Sequence, residues 1–473
     1  MILLAGSLAL LAYWPDRLPA AHGETATASS GEPWSEGGVL RVGSPEPLRQ
    51  ASVLSPYGPG FEFELVSVFC AAAAAKPVWV AVADKDTGLA MLERREIDLL
   101  VGFWGDTQRS GESGGRTGVT KGKAYAHFNP VRISGATVPR PDGESTDDGK
   151  DPRAQKPRSV IEALAWTFSS ILSAFGDTPG QDKEGQPFPV FSFVTDGRGD
   201  GKDIVLLDPA SYALWLPFMG DVNSRKVGQT TPYRWFWRND DSVLAERLEQ
   251  FWKDPARDAE VAELTERYFG FLPNTLRQRD ILELAEALAT RLSKYETFIT
   301  NAAKETGVPP LLLVAAIYQE SRFDPDAVSE TKVRGIMQLT AATAEMLGVD
   351  RTDPEQCIMG GARYLRDLWE RVGEKAANDW DRWFMALAAY NQGMSNLNRT
   401  IRLAREMGKK GNNWADLKQA FPLLTNCRGV EAKSFVERIR YYNFILHGLV
   451  ALAPAETQDF APLLGLAVAD ADF

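Results

Sequence analysis

The chain has 473 residues, 44% hydrophobic and 24% charged, a composition of globular domains and not of a disordered or polytopic chain. That length exceeds what a single core organises, so two domains are expected. A net charge of −11 with no basic block argues against a protein that follows nucleic-acid phosphates, so no nucleic-acid partner is expected.

The chain opens with MILLAGSLALLAYW, an apolar run of signal-peptide length, followed by small residues (Ala20 to Gly23) that suit cleavage after Gly23. The run is shorter than the roughly 18 to 20 apolar residues of a spanning helix. Residues 1–23 are therefore expected to be a signal peptide or, because no Lys or Arg precedes the run, an uncleaved N-terminal anchor. Residues 24–38 read as a linker. Three cysteines are too few for a disulfide framework, although Cys357 and Cys427 are a candidate pair in an oxidising compartment. Three histidines make a His-ligated zinc site or a Ser-His-Asp triad a poor fit, so chemistry is expected to run on carboxylates without metal or organic cofactor.

From Val39, VLRVG, PVWVAVA and DLLVGFW read as strands separated by the helices GFEFELVSVFCAAAAA and TGLAMLERREI, the βαβ rhythm of an open parallel sheet. Residues 139–157 turn to Pro, Gly, Asp and Lys, an exposed insertion or hinge. Alternation resumes through DIVLLD and YRWFWR, and helical periodicity takes over from Asp241. The segment RDILELAEALATRLSKYETFITNAAKETG keeps that period throughout. The division expected is an α/β domain over 39–272, an all-α domain over 273–450 and a tail over 451–473.

Pro309 and Pro310 suit the first turn of a helix that reads PPLLLVAAIYQES. Leu313, Ala316, Ile317 and Glu320 share one stripe, and apolar residues fill the other faces, so the helix is expected to be buried all round. Desolvation and the negative end of the helix dipole both raise the pKa of Glu320, the property a general acid needs. Taken alone, Glu320 equally admits a plain helix end with its carboxylate in solvent.

QESRFDPDAVS, RGIMQLT and ALAAYNQG follow in order, and together they resemble the Glu-Ser, Gly-Leu-Met-Gln and Ala-Tyr-Asn motifs of lytic transglycosylases with a goose-type lysozyme fold. The resemblance covers about 280–449. With an α/β lobe pair in front of it, it narrows to chains of the membrane-bound lytic murein transglycosylase F type. It implies Glu320 as the single catalytic acid/base, with Ser321, Gly335, Met337, Gln338, Tyr390 and Asn391 lining the substrate cleft. Each of these has a plainer reading: Met337 as core, Tyr390 as packing, Asn391 as a helix cap. Asp324 and Asp326 read as turn residues. In EAKSFVERI, Phe435 stands where the family commonly has Tyr, which puts a hydrogen bond to Glu320 in question.

The segment 39–272 is similar, more weakly, to two-lobed periplasmic solute-binding proteins for amino acids. That resemblance implies a carboxylate-binding Arg109, an amine-binding Asp208 and a regulatory muropeptide or amino-acid ligand; a degenerate fold with both residues at the surface is the alternative. The function implied is non-hydrolytic cleavage of peptidoglycan glycan strands between N-acetylmuramic acid and N-acetylglucosamine. The location implied is the periplasm of a Gram-negative bacterium, with peripheral association to the outer membrane. A hydrolytic muramidase using the same Glu320, or a catalytically silent glycan-binding sensor, are the alternatives.

Overall fold

The computed structural model describes residues 34–45, 55–102, 118–134, 205–207, 223–226, 231–273, 278–424 and 428–451, with 36, 59, 83–84, 129–130 and 331 excepted. The expected leader, Arg109, the insertion 139–157, Asp208, Cys427 and the tail beyond 451 lie outside the described residues. Those up to Phe269 belong to one compact unit and those from Gly270 to a second.

The first unit is α/β and two-lobed. Strand β1 (Val39–Pro45) leads to α1 (Phe61–Ala72), β2 (Lys76–Val82), α2 (Lys85–Glu93) and β3 (Leu99–Leu100). β1 pairs in parallel with β2 and β3. The strands β4 (Val119–Lys121), β5 (Ala126–Phe128), β6 (Val131–Ser134), β7 (Val205–Leu207), β8 (Asn223–Lys226), β9 (Thr231–Tyr233) and β10 (Phe236–Arg238) follow. The main sheet runs β2-β1-β3-β10-β4, with β10 antiparallel to both neighbours, so it is mixed and not the all-parallel sheet that the alternation suggests. Periodicity identifies a strand but carries no information on the direction from which a later strand returns.

Smaller sheets, β5-β9 and β7-β6-β8, form the other side of a double crossing. The outgoing and returning chains are bonded across it, Gly122 N to Trp235 O at 2.9 Å and Tyr125 N to Tyr233 O at 3.2 Å. Glu62, in the first turn of α1, accepts hydrogen bonds from Tyr125 Oη and Trp235 Nε1, one on each crossing chain. Burial pushes its carboxyl up to about 7, against the smaller opposing pull of those two donors. Helices α3 (Ser242–Lys253), capped by Asp241, and α4 (Ala256–Phe269) close the unit by packing Leu244, Leu248, Phe251 and Leu264 onto its core.

The second unit is helical. The continuous period of its first segment is broken in the structure: α5 (Gln278–Thr290), a 3-10 turn at Leu292–Lys294, then α6 (Glu296–Thr306). Helical spacing survives such a tight turn because Leu292 still points inward. α6 ends at Gly307, whose φ of 69° closes the cap. α7 (Pro310–Ser321) begins with Pro310, where a missing N–H is harmless, and buries every residue from Leu311 to Tyr318. Around it come α8 (Ala341–Leu347), α9 (Pro354–Val372), α10 (Asp379–Gln392), α11 (Met394–Glu406), α12 (Trp414–Ala420) and α13 (Arg428–Ala451). α7 packs on α13 and on α6, and α10 packs on α9, α11 and α13.

The first unit holds a buried ion cluster beneath its main sheet. Asp98 accepts from Arg41 N at 2.9 Å, Arg41 Nε at 2.9 Å and Arg41 Nη2 at 2.7 Å. Arg238 lies 3.5 Å from Asp98 and 3.2 Å from Asp241, and donates to Ile97 O at 2.9 Å. Removing one partner would leave buried cations uncompensated. Asp98→Ala is therefore expected to destabilise this unit by about 3–5 kcal/mol, read as a lowered urea midpoint.

Candidate active site

α7 stops abruptly at Ser321. Arg322 and Phe323 both adopt the left-handed region, with φ of 53° and 63°, a conformation that costs energy for residues with a side chain. Three contacts hold it: Arg322 N donates to Tyr318 O at 2.9 Å, Phe323 is buried against the Tyr318 ring, and Arg322 pairs with Glu283 at 2.9 Å. The stop places Glu320 on the last turn of an otherwise apolar helix.

Glu320 is half-buried, and no group among the described residues donates a hydrogen bond to its carboxyl. Burial raises its pKa first and the negative charge of Glu431 second, to about 8. The helix dipole named from sequence is not needed for that rise. Glu431, in the first turn of α13, is the residue that sequence reasoning missed. Its signal in the sequence is its place at the head of EAKSFVERI, the motif whose aromatic position Phe435 occupies. Phe435 is buried and carries no hydroxyl, so position 435 supplies no hydrogen-bond donor to Glu320.

Ser321 Oγ donates to Ile336 O at 2.8 Å, and the carbonyl of Ile317 lies at 3.3 Å. A hydroxyl has one proton, so Ser321 ties the loop 335–338 to the helix end beside Glu320. Gly335 has φ 84°, and a Cβ there would lie 1.9 Å from Arg351 O. Gln338, itself at φ 48°, donates from Nε2 to Ala327 O and Gly335 O, both at 2.9 Å. Arg351 Nη1 braces the same loop through Leu339 O at 3.0 Å, and Thr340 caps α8 directly after it.

Met337 departs from the sequence assignment to the cleft. Its side chain is buried against Gly361, where a Cβ would approach Met337 Cε to 2.7 Å, so it serves as core. The residue contributes through its carbonyl, which accepts from Tyr390 Oη at 2.8 Å. Tyr390, stacked obliquely on Tyr364, lies close enough to Glu320 for the carboxylate charge to raise the phenol's pKa, after burial as the larger cause. Asn391 is half-buried with no hydrogen-bond partner among the described residues, and it is not the helix cap: Gly393, at φ 85°, fills that place. Glu320, Ser321, Gly335, Gln338 and Tyr390 thus form one connected structure, with Asn391 beside Tyr390 in sequence. Asp324 and Asp326 form a local turn, Asp326 N donating to Asp324 Oδ1 at 3.0 Å. Cys357 is buried behind the loop, where the backbone of Met337 and Ile336 faces its sulfur.

Residues 297–413 match the Transglycosylase SLT domain family, a span that contains every one of these residues except Glu283, Glu431 and Phe435. A curated relative from Alkalilimnicola ehrlichii, "Membrane-bound lytic murein transglycosylase F 2", is 32% identical over 319 residues, 62% of this chain and 70% of the relative. The chain belongs to the membrane-bound lytic murein transglycosylase F family. A family member from Yersinia pestis is 29% identical over 481 residues, covering 94% of this chain and 90% of its own, so the likeness runs through both units. Among solved structures, an ABC transporter substrate-binding protein from Streptococcus pneumoniae with bound histidine covers 49% of this chain and 92% of its own at 17% identity, with a TM-score of 0.30.

In this transglycosylase F family member the loop geometry predicts a sharp dependence on Gly335. Gly335→Ala adds a left-handed strain of about 1–3 kcal/mol to a clash with a backbone carbonyl, and is expected to lower the thermal midpoint and the activity together.

Proposed function

We propose that the chain is a peptidoglycan lytic transglycosylase in which Glu320 is the acid and the base of one reaction. The observation that carries this reading is the position of Glu320 at the end of a buried helix, where burial pushes its carboxyl up to about 8 and favours the protonated form at neutral pH. Glu320 gives its proton to the glycosidic oxygen as the bond from C1 of N-acetylmuramic acid breaks. The resulting carboxylate, less than fully hydrated and beside Glu431, is a strong base. It takes the proton of the same sugar's C6 hydroxyl as that oxygen bonds to C1, which closes a 1,6-anhydro ring and returns Glu320 to its starting state. The nucleophile is already part of the substrate, so attack is intramolecular and no water is activated.

The supporting residues have distinct parts. Ser321 and Tyr390 position the loop 335–338 through the carbonyls of Ile336 and Met337. Asn391 and the amide oxygen of Gln338 are the polar groups left for sugar substituents. For the first unit, an amino acid or muropeptide is the ligand class we assign, with Arg109 and Asp208 as its carboxylate and amine partners. The relatives' designation as membrane-bound supports location in a Gram-negative envelope, and the compartment we assign within it is the periplasm, with peripheral association to the outer membrane. No helix among the described residues is long and apolar enough to cross a membrane.

Glu431 supports a second reading. A muramidase needs a second carboxylate to activate water, and Glu431 is close enough to act on Glu320 by its charge. The product distinguishes the two. Purified murein incubated with the enzyme is expected to yield muropeptides lighter by one water than hydrolytic ones, by mass spectrometry. Glu320→Gln is expected to lower their yield by about 10²–10⁴-fold. Hydrated products would establish the muramidase, and no products from the wild type would leave a glycan-binding protein.

A further inference from the structure

Five cations gather on the outer side of α11 and the turn after it: Arg399, Arg402, Arg405, Lys409 and Lys410, all exposed. No side chain among them has an ion-pair or hydrogen-bond partner among the described residues. Over 394–410 the only carboxylate is Glu406, so this stretch is strongly positive in a chain whose net charge is −11. In the sequence the arginines stand three residues apart from one another and form no basic block. The helix gathers them, because steps of three residues return to nearly the same face. The opposite face of α11 buries Leu397, Thr400, Ile401 and Ala404, which fixes the basic face outward.

The shape of this patch selects its partner. The arginines form a row with a rise of about 4.5 Å between neighbours, and they do not converge on a pocket as ligands of one anion would. Met407 lies among them, 39% exposed, an apolar side chain beside the cations. A row of four to eight cations on an amphipathic helix, with an apolar residue at its edge, fits a planar array of phosphates above an acyl boundary. Carboxylates of murein stem peptides would offer neither the phosphate array nor a use for Met407.

We infer that the exposed basic face of α11, with Lys409 and Lys410, docks the helical unit onto a bilayer bearing anionic phospholipid headgroups. The inference rests on the envelope location proposed above. Held in this way, the helical unit would work on glycan strands lying next to the membrane.

The test is co-sedimentation of the full chain with vesicles of phosphatidylglycerol and phosphatidylethanolamine, and with vesicles of phosphatidylcholine alone. Binding to the anionic vesicles that weakens as salt rises is expected, with none to the neutral ones. A variant with Arg399→Gln, Arg402→Gln, Arg405→Gln, Lys409→Gln and Lys410→Gln is expected to bind at least about tenfold more weakly. It should keep its thermal midpoint and its cleavage of soluble murein fragments. Equal binding by the variant, or salt-insensitive binding by the wild type alone, would overturn the inference. So would retention on purified murein sacculi that the variant loses while vesicle binding is unchanged. Wild-type protein that binds anionic vesicles but never cleaves murein would sink the enzymatic reading and leave this one standing.

Discussion

The site depends on one carboxyl that the fold keeps from being fully hydrated. α7 is apolar on every face from Leu311 to Tyr318, and it ends in two left-handed residues that stop the chain where Glu320 projects from its last turn. Nothing among the described residues donates to that carboxyl, and Glu431 adds a like charge. Both effects favour the protonated form. The same arrangement has a consequence for stability. A carboxyl whose folded-state pKa lies above its unfolded value stabilises the fold fully below the ordinary carboxylate range, and that contribution is lost as pH rises towards about 8. The protein tolerates this because the neutral form is the one that catalysis requires at its first step.

The loop 335–338 is the second constraint, and it is built almost wholly from backbone carbonyls. Ser321 holds Ile336 O, Tyr390 holds Met337 O, and Gln338 holds Gly335 O and Ala327 O. Residues that a motif comparison assigns to substrate are here first of all the struts of a rigid wall. In the proposed mechanism, that wall would keep the geometry around Glu320 after the proton has left. A rigid cleft also suits an intramolecular nucleophile, whose advantage is lost if the sugar can turn away from the carboxyl.

Much of this was legible in the sequence, for identifiable reasons. The apolar run before Glu320 fixed its burial, and Pro309-Pro310 fixed the start of the helix. Gly335 was legible as a motif position, but the carbonyl of Arg351 that forbids a side chain there comes from residues far along the chain. Met337 carried two readings in the sequence, cleft by resemblance and core by its apolar side chain; the packing of α9, with Gly361 bare to receive it, decides for core. Glu431 lies more than a hundred residues from Glu320 and is brought near by the packing of α13 on α7, a contact that no local pattern encodes. In the first unit, alternation identified the strands, while the antiparallel return of β10 depended on topology.

The central claim is that Glu320 is protonated at neutral pH, and carbon-13 NMR of the protein labelled at glutamate side-chain carboxyls tests it directly. The resonance absent from Glu320→Gln assigns the group, and its titration between pH 4 and 10 gives the midpoint. A midpoint near 8 is predicted, set by burial and by Glu431, and it should fall when Glu431 is replaced by Gln. A midpoint in the ordinary carboxylate range near 4.5 would contradict the account, because the group would then be ionised at neutral pH and unable to protonate a glycosidic oxygen.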